Sequence, residues 1–228
     1  MQRNSRKTGF MAFALIAIAS LGGVVTACSD AAQSKNQVQN TTATNAADKQ
    51  MHHSGMNHNM AMDLGPADAN YDLRFIDAMI PHHQGAVEMA KQAQQKSQRP
   101  EIKKLADDII KAQNTEIAQM KQWRQTWYPQ AGNKPMAYNS QMGHMMEMSP
   151  DQMKAMMMSM DLGAADAEFD LRFINAMIPH HEGAVTMAQD ALKKSQRPEI
   201  KQLAQSIIKS QEAEIQQMKQ WRQTWYKK

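Results

Sequence analysis

Apolar residues recur every three or four positions along two long stretches of the chain, which is the spacing of one helical face. The first stretch runs from about residue 68 to residue 96, and its apolar face includes Leu73, Ile76, Ile80, Val87 and Ala90. A second segment begins at Pro100, a residue favoured in the first turn of a helix, and continues to about Tyr128. No segment alternates between apolar and polar residues as a strand would, so the pattern predicts an all-α protein.

This pair of helical segments occurs twice. Residues 62–128 and 160–226 align without a gap at a constant offset of 98, and 50 of the 67 positions are identical. Two helices in each repeat predict a four-helix bundle built from two tandem helical hairpins, residues 62–128 and 160–228. A single hairpin would leave one apolar face bare, so the duplication indicates that the two halves pack together.

The first 27 residues have the pattern of an export signal, with three basic residues followed by a short apolar run. The signal ends in Val-Thr-Ala-Cys, which resembles the lipobox of bacterial lipoproteins and implies cleavage before Cys28 and its lipidation. We therefore expect a lipoprotein of the bacterial cell envelope that faces the periplasm. Because Ser29 follows the cysteine, the outer membrane is favoured in a Gram-negative cell. An ordinary secretory signal with an incidental cysteine is the alternative.

Two linkers lack the helical pattern. Residues 28–61 are predicted to form a disordered tether that ends in a Met/His-rich tract, and residues 129–159 form a Met-rich connector. Within the connector, the run Ser149-Pro150-Asp151-Gln152 is typical of a capping box that opens a short helix.

The amino-acid composition excludes several classes of site and partner. The chain has 22 Met, eight His and one Cys, and a single Cys excludes a disulfide framework, a Cys-rich zinc module and a CxxC redox site. The formal charge of +4 falls to 4 − 3 = +1 once the three basic residues of the signal are removed. A nearly neutral protein lacks the basic surface of a nucleic-acid binder, so no nucleic-acid partner is expected.

Polar and soft side chains interrupt the predicted core of each repeat. A turn near residue 98 would bring His82 and His83 level with residues 114 and 113 and would place Glu116 nearby. A buried Glu is costly unless it is paired or bound to a metal. A structural His–Glu pair in a core filled with Met is the alternative. The candidate metal ligands of the bundle are Met79, His82, His83, Met89, Glu116, Met120, Met177, His180, His181, Met187, Glu214 and Met218.

Outside the long helices, methionine is concentrated in the linkers. Of the 20 Met that follow residue 27, 14 lie in residues 51–62 and 136–160. The thioether is a soft ligand that selects Cu(I) and Ag(I), while imidazole accepts either copper state. A Met tract that scavenges oxidants and low-complexity drift are alternatives. The candidate ligands in the linkers are His52, His53, Met56, His58, Met60, Met142, His144, Met145 and Met148.

The block Met79-Ile80-Pro81-His82-His83, followed by Gly85-Ala86 and Met89 and later by Glu116-Ile117, Met120 and Trp123, resembles the ferritin-like bacterial domain of unknown function 305. The resemblance covers both repeats. Tandem members with Met/His-rich segments are similar to the CopM-type periplasmic copper-binding proteins associated with copper resistance. The resemblance implies a helical bundle that binds copper or silver through Met and His, and it implies no catalytic reaction.

The sequence therefore predicts an extracytoplasmic protein that binds Cu(I), with Cu(II) and Ag(I) as further ligands, and that is not an enzyme. It would sequester the ion or deliver it to copper efflux machinery. Two other functions stay open: a ferritin-like or copper-dependent metal oxidase, and an envelope interaction bundle that binds no metal.

Overall fold

The computed structural model of the protein describes residues 63–228. The predicted signal peptide, Cys28, the tether and its Met/His-rich tract lie outside the described residues. The described chain contains α1 (Tyr71–Lys96), α2 (Pro100–Trp127), β1 (Met136–Asn139), β2 (His144–Glu147), α3 (Pro150–Met157), α4 (Phe169–Lys194) and α5 (Pro198–Tyr226). None of these helices has the length and hydropathy that crossing a membrane requires.

Local sequence signals set the start of three helices. Pro100 and Pro198 stand in the first turns of α2 and α5, where the N–H that proline lacks has no partner within the helix. The capping box of α3 is confirmed: the backbone N–H of Gln152 donates to Ser149 Oγ over 3.2 Å. In return, the backbone N–H of Ser149 donates to Gln152 Oε1 over 2.8 Å.

The central helices α1 and α4 run antiparallel and cross near their midpoints. At one end of the pair, the hydroxyl of Tyr71 donates to Asp190 over 2.9 Å. At the crossing, the ring centroids of His82 and His180 lie 3.9 Å apart. Helix α2 packs on α1 and α5 packs on α4, so each predicted hairpin is a hairpin in the fold. The prediction of a four-helix bundle is confirmed.

The buried apolar side chains form two clusters, and each cluster draws on both repeats. One joins the second half of α1 to the first half of α4, where Ala90 and Phe173 are fully buried. The other joins the first half of α1 to the second half of α4, where Phe75 and Ala188 are fully buried. Burial of a large apolar side chain contributes about 1.5–3 kcal/mol. Because both clusters span the repeats, each hairpin covers the apolar face of the other. This is the packing of the two halves that the sequence duplication indicated.

The prediction that no segment forms a strand is wrong for the connector. Strands β1 and β2 pair antiparallel, with Met136 opposite Glu147 and Asn139 opposite His144. Four residues are too few to establish a readable alternation, and the turn depends on Gly143 at a φ of 70°, a conformation that glycine adopts without strain. The connector is therefore a small hairpin followed by a helix.

A buried carboxylate attaches this hairpin to the bundle. Asp77 on α1 accepts hydrogen bonds from Arg124 Nε over 2.5 Å and from the backbone N–H of Met136 over 2.8 Å. The equivalent residue of the second repeat, Asn175, accepts only from Arg222, over 3.2 Å, among the described residues. The difference between Asp77 and Asn175 is explained by the connector, which follows the first repeat alone.

Arginines in the loops of the two hairpins clamp the ends of the bundle. The guanidinium of Arg197 lies 4.2 Å from the ring centroid of Trp127, and that of Arg99 lies 4.2 Å from the ring centroid of Trp225. Each arginine thus stacks on a tryptophan of the other repeat. These tryptophans are partly buried and pack at the margin of the core.

We expect a double-mutant cycle of Arg99→Ala and Trp225→Ala to give a coupling free energy of about 0.5–1 kcal/mol, since both groups are partly exposed. The measurement is the free energy of urea unfolding of the metal-free protein. The matched control pairs Arg197→Ala with Trp225→Ala, two residues at opposite ends of the bundle, whose effects should add. Equal coupling in both cycles would contradict the clamp.

Candidate metal centre

Four histidines meet where α1 crosses α4. His82 and His83 come from α1, His180 and His181 come from α4, and all four are at most 1% exposed. Because the helices run antiparallel, the same dipeptide from each repeat reaches the crossing from opposite sides. The histidines of the two repeats therefore share one buried region at the interface between the hairpins.

A glutamate orients one histidine of each pair. His83 Nε2 lies 2.7 Å from Glu116 Oε2, and His181 Nε2 lies 2.6 Å from Glu214 Oε2. A carboxylate accepts the ring proton, so Nε2 carries that proton and Nδ1 keeps its lone pair. This arrangement of carboxylate and imidazole is how proteins orient histidines that bind metals. Both glutamates are thus placed as orienting partners of the histidines.

The pairing differs in register from the sequence prediction. His83 lies beside Glu116 rather than level with residue 113, a displacement of nearly one helical turn. The loop between α1 and α2 comprises residues 97–99 and is centred on residue 98, as the sequence predicted, so the side chains of His83 and Glu116 bridge this offset. The partner of His83 is Glu116, the carboxylate that the sequence placed nearby, rather than residue 113.

A backbone carbonyl orients a third histidine. His180 Nε2 donates to the carbonyl oxygen of Met157, at the end of α3, over 3.0 Å. The same oxygen lies against Gly85 on α1, where a Cβ atom would stand only 1.8 Å from it. Only glycine allows α3 to approach this closely. The end of α3 therefore covers the crossing on the side of Gly85.

Five buried imidazole nitrogens have no hydrogen-bond partner among the described residues. They are Nδ1 of all four histidines and Nε2 of His82. An unpaired buried polar atom costs about 1–3 kcal/mol, and folded proteins avoid such atoms unless a ligand, a water or a function accounts for them. Their concentration in one place marks the crossing as the candidate site.

Burial keeps two of these imidazoles neutral. Desolvation, reinforced by the neighbouring histidines, lowers the pKa of His82 well below its ordinary value of 6.5. Desolvation likewise lowers the pKa of His180, to about 3, with a smaller contribution from His181. A histidine must be neutral to bind a metal, so both rings are in the ligating form at neutral pH.

The buried thioethers fall into two sets, each with members from both repeats. Met79 and Met120 share a cluster with Met187 of the second repeat. Met89 shares the other cluster with Met177 and Met218. Along α1, Met79 lies three positions before His82 and Met89 lies seven positions after it, so the two methionines stand on opposite sides of the crossing.

The candidate ligands of the connector divide between surface and core. Met142 is 63% exposed, whereas Met148 is 8% exposed and packs in the cluster that contains Met79. His144 is exposed and Met145 is half-buried. The sequence analysis missed Met146, which is 37% exposed and stands two residues after His144 on the same strand. The candidates His52, His53, Met56, His58 and Met60 lie outside the described residues.

Nitrogen and oxygen donors by themselves do not form a metal site in the part of the chain that the structure describes. Among residues 63–228, no group of three His, Cys, Asp or Glu side chains is arranged to hold a metal ion. One helical turn before the histidine pairs of α1 and α4 stand Met79 and Met177, whose thioethers suit Cu(I) and Ag(I) far better than Zn²⁺ or Mg²⁺. The donor set therefore fits a soft ion bound by imidazole and thioether together.

These features define a class of protein, a helical bundle whose two hairpins enclose a set of imidazoles and thioethers. The chain belongs to the family described as Domain of unknown function (DUF305), whose model matches residues 17–124 and 72–222.

Solved structures of similar sequence share the fold. CopM in the Cu(I)-bound form is 43% identical, with a TM-score of 0.53, over 68% of this chain and 97% of that chain. CopM in the Cu(II)-bound form is 45% identical with a TM-score of 0.54, over the same shares of the two chains. An Ag-bound form of CopM obtained by co-crystallization is 43% identical, also with a TM-score of 0.54 and the same coverage.

Two further relatives carry no stated ligand. A DUF305 fragment from Deinococcus radiodurans is 30% identical, with a TM-score of 0.52, over 68% of this chain and 95% of that chain. An uncharacterized protein of Acanthamoeba polyphaga mimivirus is 47% identical over 49 residues, or 22% of this chain. That match spans about a third, 32%, of the viral protein.

The depressed pKa values predict that the metal-free protein is destabilised by acid. Below pH 6.5, His82 and His180 are protonated in the unfolded chain but stay neutral in the folded protein. Because the unfolded state then binds more protons, the free energy of unfolding should fall as the pH drops from 6.5 towards 3. Each such histidine contributes a slope of about 1.4 kcal/mol per pH unit. Urea unfolding across this window checks it. The variant His180→Gln, which keeps a donor but cannot titrate, should have a shallower slope, and an equal slope would contradict the assignment.

Proposed function

We propose that the protein binds copper as Cu(I), together with its congener Ag(I), at the crossing of α1 and α4. The observation that carries the proposal is the set of buried imidazole nitrogens without partners, next to buried thioethers. His83 and His181 each offer a free Nδ1 while a glutamate holds Nε2. Thioethers from both repeats lie on either side, so each hairpin contributes donors to both ends of the site.

The similarity to CopM supports this proposal. CopM has been solved in Cu(I)-bound, Cu(II)-bound and Ag-bound forms, and it covers the same two-thirds of this chain in each. A site that mixes imidazole with thioether is compatible with both copper states, since imidazole accepts either one. We therefore extend the proposed ligands to Cu(II), with Cu(I) and Ag(I) preferred.

We further propose that the protein works outside the cytoplasm, as a lipoprotein anchored through Cys28 and facing the periplasm. The support is the sequence alone: an export signal in residues 1–27 that ends at a lipobox-like cysteine. Methionine suits that compartment because, unlike a thiolate, it is not lost to disulfide formation. Binding there would sequester the ion or hand it to efflux machinery, and would contribute to copper and silver tolerance.

The alternatives fit the geometry less well. A ferritin-like oxidase holds two metal ions with four glutamates and two Glu-x-x-His motifs. Here Glu116 and Glu214 each bond to a histidine, and the described residues bring no three such ligands together. If the protein were an interaction bundle that binds no metal, the buried imidazole nitrogens without hydrogen-bond partners would have no function. We propose a binding protein rather than an enzyme.

Ligand softness predicts the order of affinities. The protein should bind Cu(I) and Ag(I) and should keep them in competition with excess Zn²⁺, because thioethers complete the donor set. Native mass spectrometry of the purified protein, titrated with each ion alone and in pairs, measures this order. Binding of Zn²⁺ as tight as that of Ag(I) would show that the thioethers are core filler and that the soft-metal proposal is wrong.

The orienting glutamate gives a sharper test. The substitution Glu116→Gln should weaken Ag(I) binding about 10–100-fold, because the amide holds the imidazole of His83 less well than the carboxylate does. The matched control is Glu88→Gln, an exposed position on α1. Affinity is measured by competition with a calibrated Ag(I) chelator, and stability by urea unfolding without metal. Loss of stability with unchanged affinity would mean that the His83–Glu116 pair is purely structural.

A further inference from the structure

The large apolar side chains that are exposed among the described residues are all methionines. Met142, Met146 and Met160 are 63%, 37% and 52% exposed. Met142 and Met146 belong to the β1–β2 hairpin and stand on either side of His144 in the sequence. The thioether differs from other apolar groups in being a soft metal ligand. The exposure of two thioethers beside a histidine at one hairpin calls for a chemical explanation rather than a packing one.

Strand pairing puts the histidine and one thioether on the same face. His144 stands opposite Asn139, and Met146 stands opposite Ala137. Side chains alternate between the two faces of a strand, so His144 and Met146 share a face and Met145 points to the other. Ala137 gives Met146 no bulky cross-strand neighbour. The ligand face of the hairpin is therefore the one that carries His144 and Met146.

Asn139 organises the tip of this hairpin. Its Oδ1 accepts the backbone N–H groups of Gln141 and Met142, over 3.0 Å and 2.9 Å. Its Nδ2 donates to Met146 Sδ over 3.2 Å. One amide thus holds both the turn that carries Met142 and the thioether of Met146. A thioether sulfur has a second lone pair, which this hydrogen bond leaves available.

The imidazole at the tip is also oriented by an oxygen acceptor, but through Nδ1 rather than through Nε2 as in the bundle. His144 Nδ1 lies 3.2 Å from the carbonyl oxygen of Met142, which can only accept a hydrogen bond. Nδ1 therefore carries the ring proton, and Nε2 keeps a lone pair. The side chain is exposed, so this lone pair is accessible to an ion in solution.

We propose that the hairpin tip is a second, surface site for Cu(I) or Ag(I), with His144 Nε2 and the thioethers of Met142 and Met146 as ligands. Asn139 is its positioning residue. The site rests on the soft-metal binding proposed above and adds a point of capture that exchanges directly with solvent. Met145 and Met148, which the sequence included among the connector ligands, have no part in it, because one lies on the opposite face and the other is in the core.

The test is an Ag(I) titration of the purified protein by native mass spectrometry, with the methionine methyl groups followed by NMR. The double variant Met142→Leu and Met146→Leu should bind one ion fewer than the unmodified protein, since exchange of Met for Leu changes little else. The matched control, Met145→Leu with Met160→Leu, removes a half-buried and an exposed methionine outside the site and should keep the full number of ions.

Asn139→Ala tests the positioning role. It should raise the Ag(I) concentration at which the methyl signals of Met142 and Met146 shift, and should leave the buried methionines unaffected. If the double variant binds as many ions as the unmodified protein, the hairpin site is wrong while binding in the bundle stands. If the unmodified protein binds no Ag(I), the proposed function fails as well.

Discussion

The crossing of two antiparallel helices at paired histidines is the constraint on which the rest of the structure depends. Burial at this crossing keeps His82 and His180 neutral, with their rings 3.9 Å apart. The outer hydrogen bonds of His83 and His181 go to glutamates on the flanking helices α2 and α5. Interface and candidate site are therefore the same region, and neither hairpin can assemble the site without the other.

The two repeats are nearly identical in sequence, yet the connector makes them unequal. It approaches α1 at Gly85, supplies a carbonyl to His180, and is attached to the bundle through Asp77. Its methionines serve two purposes: Met148 and Met156 extend the core, while Met142 and Met146 face solvent. A connector of this kind both covers the histidines on one side and offers soft side chains outside, which suits the proposed sequestration of a soft ion.

Periodicity and duplication were sufficient to predict the helices and the bundle, because a repeated amphipathic hairpin has few ways to bury its apolar face. The pairing of an imidazole with a carboxylate was also readable, since Glu116 interrupts the apolar stripe of α2 close to the predicted level of His83. The placement of Met79 and Met89 in different apolar clusters was not readable, because it depends on the antiparallel crossing of α1 and α4, which no local pattern encodes. The β-hairpin escaped detection because it depends on Asn139 and Gly143 in a four-residue turn rather than on strand periodicity.

The central claim is that the buried Nδ1 atoms of His83 and His181 bind the ion while Nε2 of each ring stays hydrogen-bonded to a glutamate oxygen. Long-range ¹⁵N–¹H NMR of the imidazoles, recorded with and without Ag(I), measures this for each ring. The account predicts that Nδ1 of His83 and His181 shifts and couples to silver, with Nε2 still protonated towards Glu116 and Glu214. Silver coupled to Nε2, or Nδ1 signals unchanged at full occupancy, would contradict it.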